Sequence, residues 1–173
     1  MENEEIGVYI KAASILPRKY TRRMSALQTL NDNYMLDIYP TLEGVRTAKG
    51  MLYMDDGETF DNRHTIIHFT YEDGKFRITN SHNTYKEGQS FIIDEVNIFG
   101  VPLPPKKVLV AHGQIADECT EIQYKYNPQE EHVEVGCLKI HMIYSSSESE
   151  PLIELVFHEA RESEARTEHK DDL

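Results

Sequence analysis

Turn signals recur at short intervals along this chain, and the stretches between them alternate in polarity with a period of two. Asp56-Gly57, Asp73-Gly74, Gly100, Asn127-Pro128 and Gly136 punctuate runs too short for ordinary helices. Gly accepts positive φ and Asp tolerates it, so Asp-Gly between alternating runs is a strong short-range hairpin signal. Short strands with turns about every 8–12 residues predict an all-β fold, an antiparallel sandwich or barrel. No stripe of period 3.6 and no internal repeat interrupts that pattern before residue 158.

The expected strands follow from the apolar positions. Residues 6–16 form a run ending at Pro17, which cannot donate to a ladder and so marks an end or an edge. Residues 18–23 are basic and read as a loop. Tyr34, Leu36 and Ile38 share one face of a strand that ends at Pro40. Met51–Met54 and the residues after Asp56-Gly57 form a tight hairpin. His64–Tyr71, Phe76–Ile78, Phe91–Ile93, Val96–Phe99, Lys107–Val110, Ile122–Tyr126 and Leu152–Phe157 alternate in the same way, and Val101–Pro105 is a stiff, extended connector. Val133 and Val135 share a face, as do Leu138, Ile140, Met142 and Tyr144. The phase slips at Gly136, which predicts a bulge.

The charge balance excludes some partners. Thirty acidic against 18 basic residues give a formal net charge of -12, which repels nucleic acid and anionic lipid. No run is long and apolar enough for a membrane helix, and the acidic start shows no signal-peptide pattern. The two cysteines, Cys119 and Cys137, are too few for a disulfide framework or a cysteine zinc site. They are either buried small hydrophobes or one disulfide in an oxidising compartment.

Candidate chemistry is sparse. Asp55, Asp56 and Glu58 have the residue types of a glycosidase acid pair or of a calcium loop. A polar turn explains them equally well. His64, His68, His82, His112, His132, His141 and His158 are scattered, with no metal-ligand spacing on a helix, and read as surface or cross-strand histidines. Ser145-Ser146-Ser147 lacks a nucleophile elbow. The ten tyrosines either fill a sandwich core or form a stacking platform for sugars. Catalytic residues, metal ligands and cofactor ligands are therefore all expected to be absent.

Two segments carry a family resemblance. Gly50-Met51-Leu52-Tyr53-Met54-Asp55-Asp56-Gly57-Glu58-Thr59-Phe60 resembles the Gly-x-Leu-Tyr-x-Asp-Asp-Gly-Glu-Thr/Ser-Phe element of glycoside hydrolase family 31. Val8-Tyr9-Ile10-Lys11-Ala12-Ala13-Ser14-Ile15-Leu16-Pro17-Arg18-Lys19 is similar to that family's Val-x-Val-Lys-Gly-Gly-Ser-Ile-Ile-Pro-Arg-Lys segment, with Ala12-Ala13 where the family has paired glycines. Arg22-Arg23-Met24-Ser25, followed by Tyr34-Met35-Leu36, looks most like the glucosidase II α-subunit branch, and Val96–Pro102 and Pro105–Val108 match more loosely.

The resemblance implies a distal C-terminal β-sandwich at residues 43–158. It is preceded by strands left over from an incomplete proximal sandwich at 1–42 and followed by a charged tail at 159–173. Val8, Ile10, Ile15, Leu36 and Ile38 are then expected to lack part of their cover, with self-association as the result. The family's two catalytic aspartates lie on a barrel with no counterpart in these residues. The implied role is therefore a non-catalytic region, inactive alone, of an enzyme that hydrolyses terminal α-linked glucose from N-glycans. Its expected partner is that barrel, with glycan contact as a further possibility, and neither nucleic acid nor membrane is expected. A stand-alone carbohydrate-binding sandwich is the alternative. Lys170-Asp171-Asp172-Leu173 resembles the Lys-Asp-Glu-Leu signal and implies the endoplasmic reticulum lumen for a longer parent.

Overall fold

Alternation becomes pairing wherever two runs meet across a turn. The computed structural model describes residues 7, 9–19, 23–60, 62–85, 91–111, 114–115, 122–143 and 152–156. Its strands are β1 Ser14–Lys19, β2 Tyr34–Tyr39, β3 Thr47–Met54, β4 Thr65–Glu72, β5 Lys75–Asn83 and β6 Ile92–Ile98. They continue with β7 Lys107–Ala111, β8 Gln114–Ile115, β9 Gln123–Asn127, β10 His132–Gly136, β11 Leu138–His141 and β12 Leu152–Val156. One 3-10 turn, Ala26–Thr29, precedes β2. Among the described residues no helix is long and apolar enough to cross a membrane. The all-β fold read from the sequence is the fold observed.

The tightest hairpin is β4–β5. Asp73 and Gly74 both take positive φ, 44° and 85°, between the paired Glu72 and Lys75. Those signs match the right-handed twist of the strands they join. Thr65, Ile67, Phe69 and Tyr71 on β4, with Phe76 and Ile78 on β5, all face inward and are buried.

The strand order is β7-β12-β5-β4-β3-β1-β2-β6-β10-β9, with β11 on β6 and β8 on β11. The order divides naturally in two. The hairpin half, β7-β12-β5-β4-β3, is antiparallel throughout. The crossover half, β1-β2-β6-β10-β9 with β11, contains the parallel pair β2–β6, whose strands are separated in sequence by β3, β4 and β5. A second parallel contact, Ser14 opposite Lys49, joins the halves, and Lys49 N donates to the Ala13 carbonyl at 3.1 Å. Both inner faces contribute to one core, in which Ile15, Leu36, Ile38, Phe69, Ile78, Ile93, Val133 and Ile140 are packed together.

Gly50 makes that junction possible. A Cβ built there would lie 2.3 Å from the Ile15 carbonyl oxygen and 2.9 Å from the Ile15 Cβ. No real side chain tolerates that contact, so β3 can cross β1 this closely only with Gly.

Four expectations are corrected. The first strand begins at Ser14, not residue 6, and passes through Pro17. Beyond Ser14, β1 has no pairing on its β3 side, and that open side accommodates a residue without an N–H. Arg18 and Lys19, read as loop, lie in this strand. Asp56-Gly57 is not a two-residue hairpin turn, because β3 and β4 pair only up to Met54 and Thr65 and the segment 55–64 connects them. Ile15, Leu36 and Ile38 are fully covered, because they share one core with side chains of the later strands; Ile10 is exposed, and Val8 lies outside the described residues.

The slip at Gly136 is present. Between the pairs Val135–Val96 and Ile140–Ile93, the β10–β11 side carries more residues than β6. Cys137 takes a φ of 60° there, which keeps Val133, Val135, Leu138 and Ile140 all on the core side.

Candidate functional site

The polar residues with the most partners lie on the outer face of the crossover half. β2 is flanked by β1 and β6, and both its faces are covered; Asp37 is only 4% exposed. A buried carboxylate survives only with full pairing. Arg18, diagonal to Asp37 on the outer face of β1, supplies it: Nη2 donates to Oδ1 at 2.8 Å, and Nε lies 2.5 Å from Oδ2. Asn97, opposite Asp37 on β6, donates to Asp37 Oδ1 at 3.3 Å and to Glu95 Oε1 at 2.8 Å. His132 on β10 sits 2.9 Å, through Nε2, from Asn97 Oδ1, so the imidazole donates and the amide oxygen accepts. Asp37 in turn holds the Arg18 guanidinium above its ordinary value.

Aromatic rings border this cluster. Tyr39 stacks on Phe99 at 4.5 Å, and Phe99 stacks on His132 at 4.4 Å, with planes within 7° and 4°. Rings stacked in a row cover each other's faces. The row stands beside Asp37 and Asn97, touching them through the Tyr39 hydroxyl, 3.5 Å from Asp37 Oδ2, and through His132. Lys19, the last residue of the β1 motif, lies on the opposite face, beside Tyr34: Nζ donates to the carbonyls of Thr29 and Leu30 and lies 4.3 Å from the Tyr34 ring centre. Burial pushes the Tyr34 phenol up to about 12.

The acidic stretch after β3 forms a turn. Asp55 Oδ1 accepts from Gly57 N at 3.0 Å. Asp56 Oδ1 accepts from Glu58 N at 3.0 Å and Thr59 N at 2.9 Å, and its Oδ2 accepts from the Thr59 hydroxyl at 2.6 Å. These donors, the Thr59 hydroxyl first, lower the Asp56 carboxyl to about 2. A carboxylate so strongly favoured as the anion has no proton to give near neutral pH. Gly57 follows with φ 69°. The turn reading of these acids accounts for every one of these bonds. Among the described residues no group of three or more His, Cys, Asp or Glu is placed to hold a metal ion.

The described histidines lie on strands or beside them. His64 stacks on His82 at 4.1 Å and under Tyr53 at 5.3 Å, and His68 meets the Ser81 hydroxyl at 2.8 Å. Of the tyrosines, Tyr34, Tyr71 and Tyr85 fill the core, while Tyr124 and Tyr126 donate to the Pro105 and Val101 carbonyls and pin the connector. Cys137 is disulfide-bonded, so the reading of two free buried thiols is overturned. Cys119, His112, His158, Ser145–Ser147 and Lys170–Leu173 lie outside the described residues. The sequence reading missed Asp37, Asn97 and Phe99. No local pattern marks them, because their partners arrive from distant strands.

No family model matches the chain. A probable glucan 1,3-α-glucosidase of Oryza sativa subsp. japonica is 32% identical over 120 residues, which is 65% of this chain and 13% of that protein. The glucosidase 2 subunit alpha of Schizosaccharomyces pombe is 31% identical over 105 residues, 55% of this chain and 11% of that protein. The crystal structure of a glucosidase II α subunit in its α3-Glc2-bound form superposes with a TM-score of 0.56 over 83% of this chain and 16% of that one, at 17% identity. That likeness shows the fold. The chain thus spans a small fraction of the length of the proteins it matches. In sequence and in fold it is similar to the C-terminal β-sandwich region of the α-glucosidases of glycoside hydrolase family 31, the glucosidase II α subunit among them.

Proposed function

We propose that this chain is a non-catalytic C-terminal region of an α-glucosidase resembling glucosidase II. The carrying observation is that proteins named as α-glucosidases match more than half of this chain while the chain spans little more than a tenth of them. The parent activity in this reading is hydrolysis of terminal α-linked glucose in N-glycan trimming. The partner is the parent's catalytic barrel, against which this region packs. Residues 1–42 descend from the proximal sandwich and 43–158 are the distal one; here β1 and β2 share a core with the later strands. The endoplasmic reticulum lumen belongs to the same proposal. The disulfide at Cys137 supports it, because such bonds persist in oxidising compartments.

Two measurements test the reading. The transcript upstream of Met1 is expected to encode a barrel in a continuous frame. Purified chain is expected to turn over no chromogenic α-glucoside above a blank, since glycoside hydrolysis needs two positioned carboxyls. Activity abolished by changing one acidic residue of this chain overturns the proposal.

A further inference from the structure

The edge of β3 that turns away from β4 has no part in the proposal above. Lys49 points its N–H to that side, where the Ala13 carbonyl on the β1 chain accepts it. Backbone groups two residues apart point the same way along a strand, so the N–H and C=O of Met51 and Tyr53 face that side too. Among the described residues no strand pairs with them there, because the β1–β3 ladder is the single contact Ser14–Lys49. From Gly50 onward, β3 is therefore the open edge of the hairpin half.

The side chains over this edge are apolar and aromatic. Met51 and Tyr53 are exposed on the outer face of β3, and Leu16 on that of β1. Tyr53 is held in place. His64 stacks on one face of its ring with centres 5.3 Å apart, and its hydroxyl is hydrogen-bonded to the Asp55 carboxylate. Asp55 Oδ1 is fixed in turn by Gly57 N, which donates at 3.0 Å. His64 leads into β4, so the covered face of the Tyr53 ring looks toward β4 and the other looks out over the open edge. A ring immobilised before a ligand arrives loses little freedom on binding.

This combination selects its ligand. A peptide strand does not fit, because Met51 to Tyr53 is only about 7 Å of edge. Ala13 and Ser14 block one end of it, and β3 stops at Met54 at the other. The net charge of -12 opposes a nucleotide. A neutral pyranose matches. Its C–H face packs on an aromatic ring and on the Met51 side chain, and its hydroxyls, each both donor and acceptor, suit alternating backbone N–H and C=O groups. Equatorial hydroxyls, as in glucose, leave that C–H face flat.

We propose that the open edge of β3 binds a neutral, glucose-configured sugar, stacked on the outward face of the Tyr53 ring and hydrogen-bonded to the backbone of Met51 and Tyr53. The step is open to water, so the dissociation constant is about 1 mM. The site does not depend on the parentage proposed above.

NMR titration of the full chain with methyl β-D-glucopyranoside tests this. Sorbitol, which has the hydroxyls without the ring face, is the comparison. The Tyr53 ring signals and the Met51 and Tyr53 amides are expected to shift together and saturate with the glucoside but not with sorbitol. Tyr53→Phe keeps the ring face and is expected to retain binding. Tyr53→Leu is expected to weaken it at least about tenfold, with the Val133 and Ile140 signals of the core unmoved. The proposal is overturned by the absence of a saturable shift at Tyr53 in the unmodified chain, by an equal response to sorbitol, or by undiminished binding in Tyr53→Leu. An upstream barrel with no shift at Tyr53 sinks this site alone, and binding at Tyr53 without an upstream barrel sinks the parentage alone.

Discussion

On the outer face of the crossover half, Asp37 and Asn97 are buried beside Arg18, Tyr39, Phe99 and His132. On the outer face of the hairpin half, Met51 is 59% and Tyr53 is 53% exposed, and the stacked histidines meet solvent. The inner faces of the two halves are alike. The difference outside follows from topology. On β2 both faces are covered, with Arg18 arriving from β1 and Asn97 from β6, so a charge on it must be neutralised in place. β3 and β4 need only alternate inward and outward. The crossover half is therefore tied together across long sequence distances, while the hairpin half is built from neighbours.

The sharpest way to break this arrangement is at the junction of the halves. Gly50→Ala pushes a methyl into the Ile15 carbonyl, where only backbone can move. The expected cost is about 3 kcal/mol, at the upper end for overpacking. Chemical denaturation measures it, and an unchanged midpoint would mean that β3 does not cross β1 this closely.

The next test contrasts two ion pairs. Asp37→Ala leaves Arg18 and Asn97 without their shared acceptor. Arg18 is half exposed and can turn to water, so the cost is about 2 kcal/mol, below that of a fully buried pair. Glu134→Ala removes the solvent-exposed pair with Lys125, and no measurable change in melting temperature is expected. Equal effects from the two substitutions would erase the distinction between a sealed and an open outer face.

How much of this was legible beforehand depended on sequence distance. The β4–β5 hairpin could be read because its strands adjoin and Asp73-Gly74 names the turn. The bulge at Gly136 showed as a slip in the run from Val133 to Met142. Asp37, by contrast, is an ordinary outward residue in an alternating strand, and its partner Asn97 lies 60 positions away. Nothing local distinguishes a solvated aspartate from one that a second strand will cover. Pro17 marks an end or an edge, and only the sheet decides between them: the strand continues, and the side of β1 facing β3 is open there. Gly50 stood out as part of a motif, but its reason, Ile15, is visible only in three dimensions.

The β3–β4 connection gives smaller effects. Gly57→Val forces a β-branched residue to positive φ, with no steric contact to add to the strain, so about 1 kcal/mol is expected. Acid titration probes the same turn. The Asp56 carboxyl is lowered from 3.8 to about 2, so the turn's contribution is fully present above pH 3.8 and is lost as pH falls through about 2. The Glu58 and Thr59 amide shifts are expected to follow that midpoint. A midpoint at the ordinary carboxylate value would show that Asp56 does not hold this turn.

The smallest effect carries the opposite sign and falls on the departure from the family motif. Ala13 occupies the second of the two positions where the resembling segment has glycines, and its φ is 62°. An L-residue pays for that conformation because its Cβ crowds the backbone, and Gly does not. The carbonyl of Ala13 receives the Lys49 N–H that joins the two halves, so the backbone cannot relax to negative φ without losing that bond. Ala13→Gly relieves the strain at the expense of a more flexible unfolded chain, and the two terms offset in part. A net stabilisation of about 0.5 kcal/mol is expected, readable as a rise in denaturation midpoint with an unchanged slope. Ala12→Gly is the control, because Ala12 is exposed and does not share the positive φ; there the entropy term stands alone and the midpoint should fall. If both substitutions destabilise alike, Ala13 is not strained, and the link between β1 and β3 does not depend on a left-handed residue.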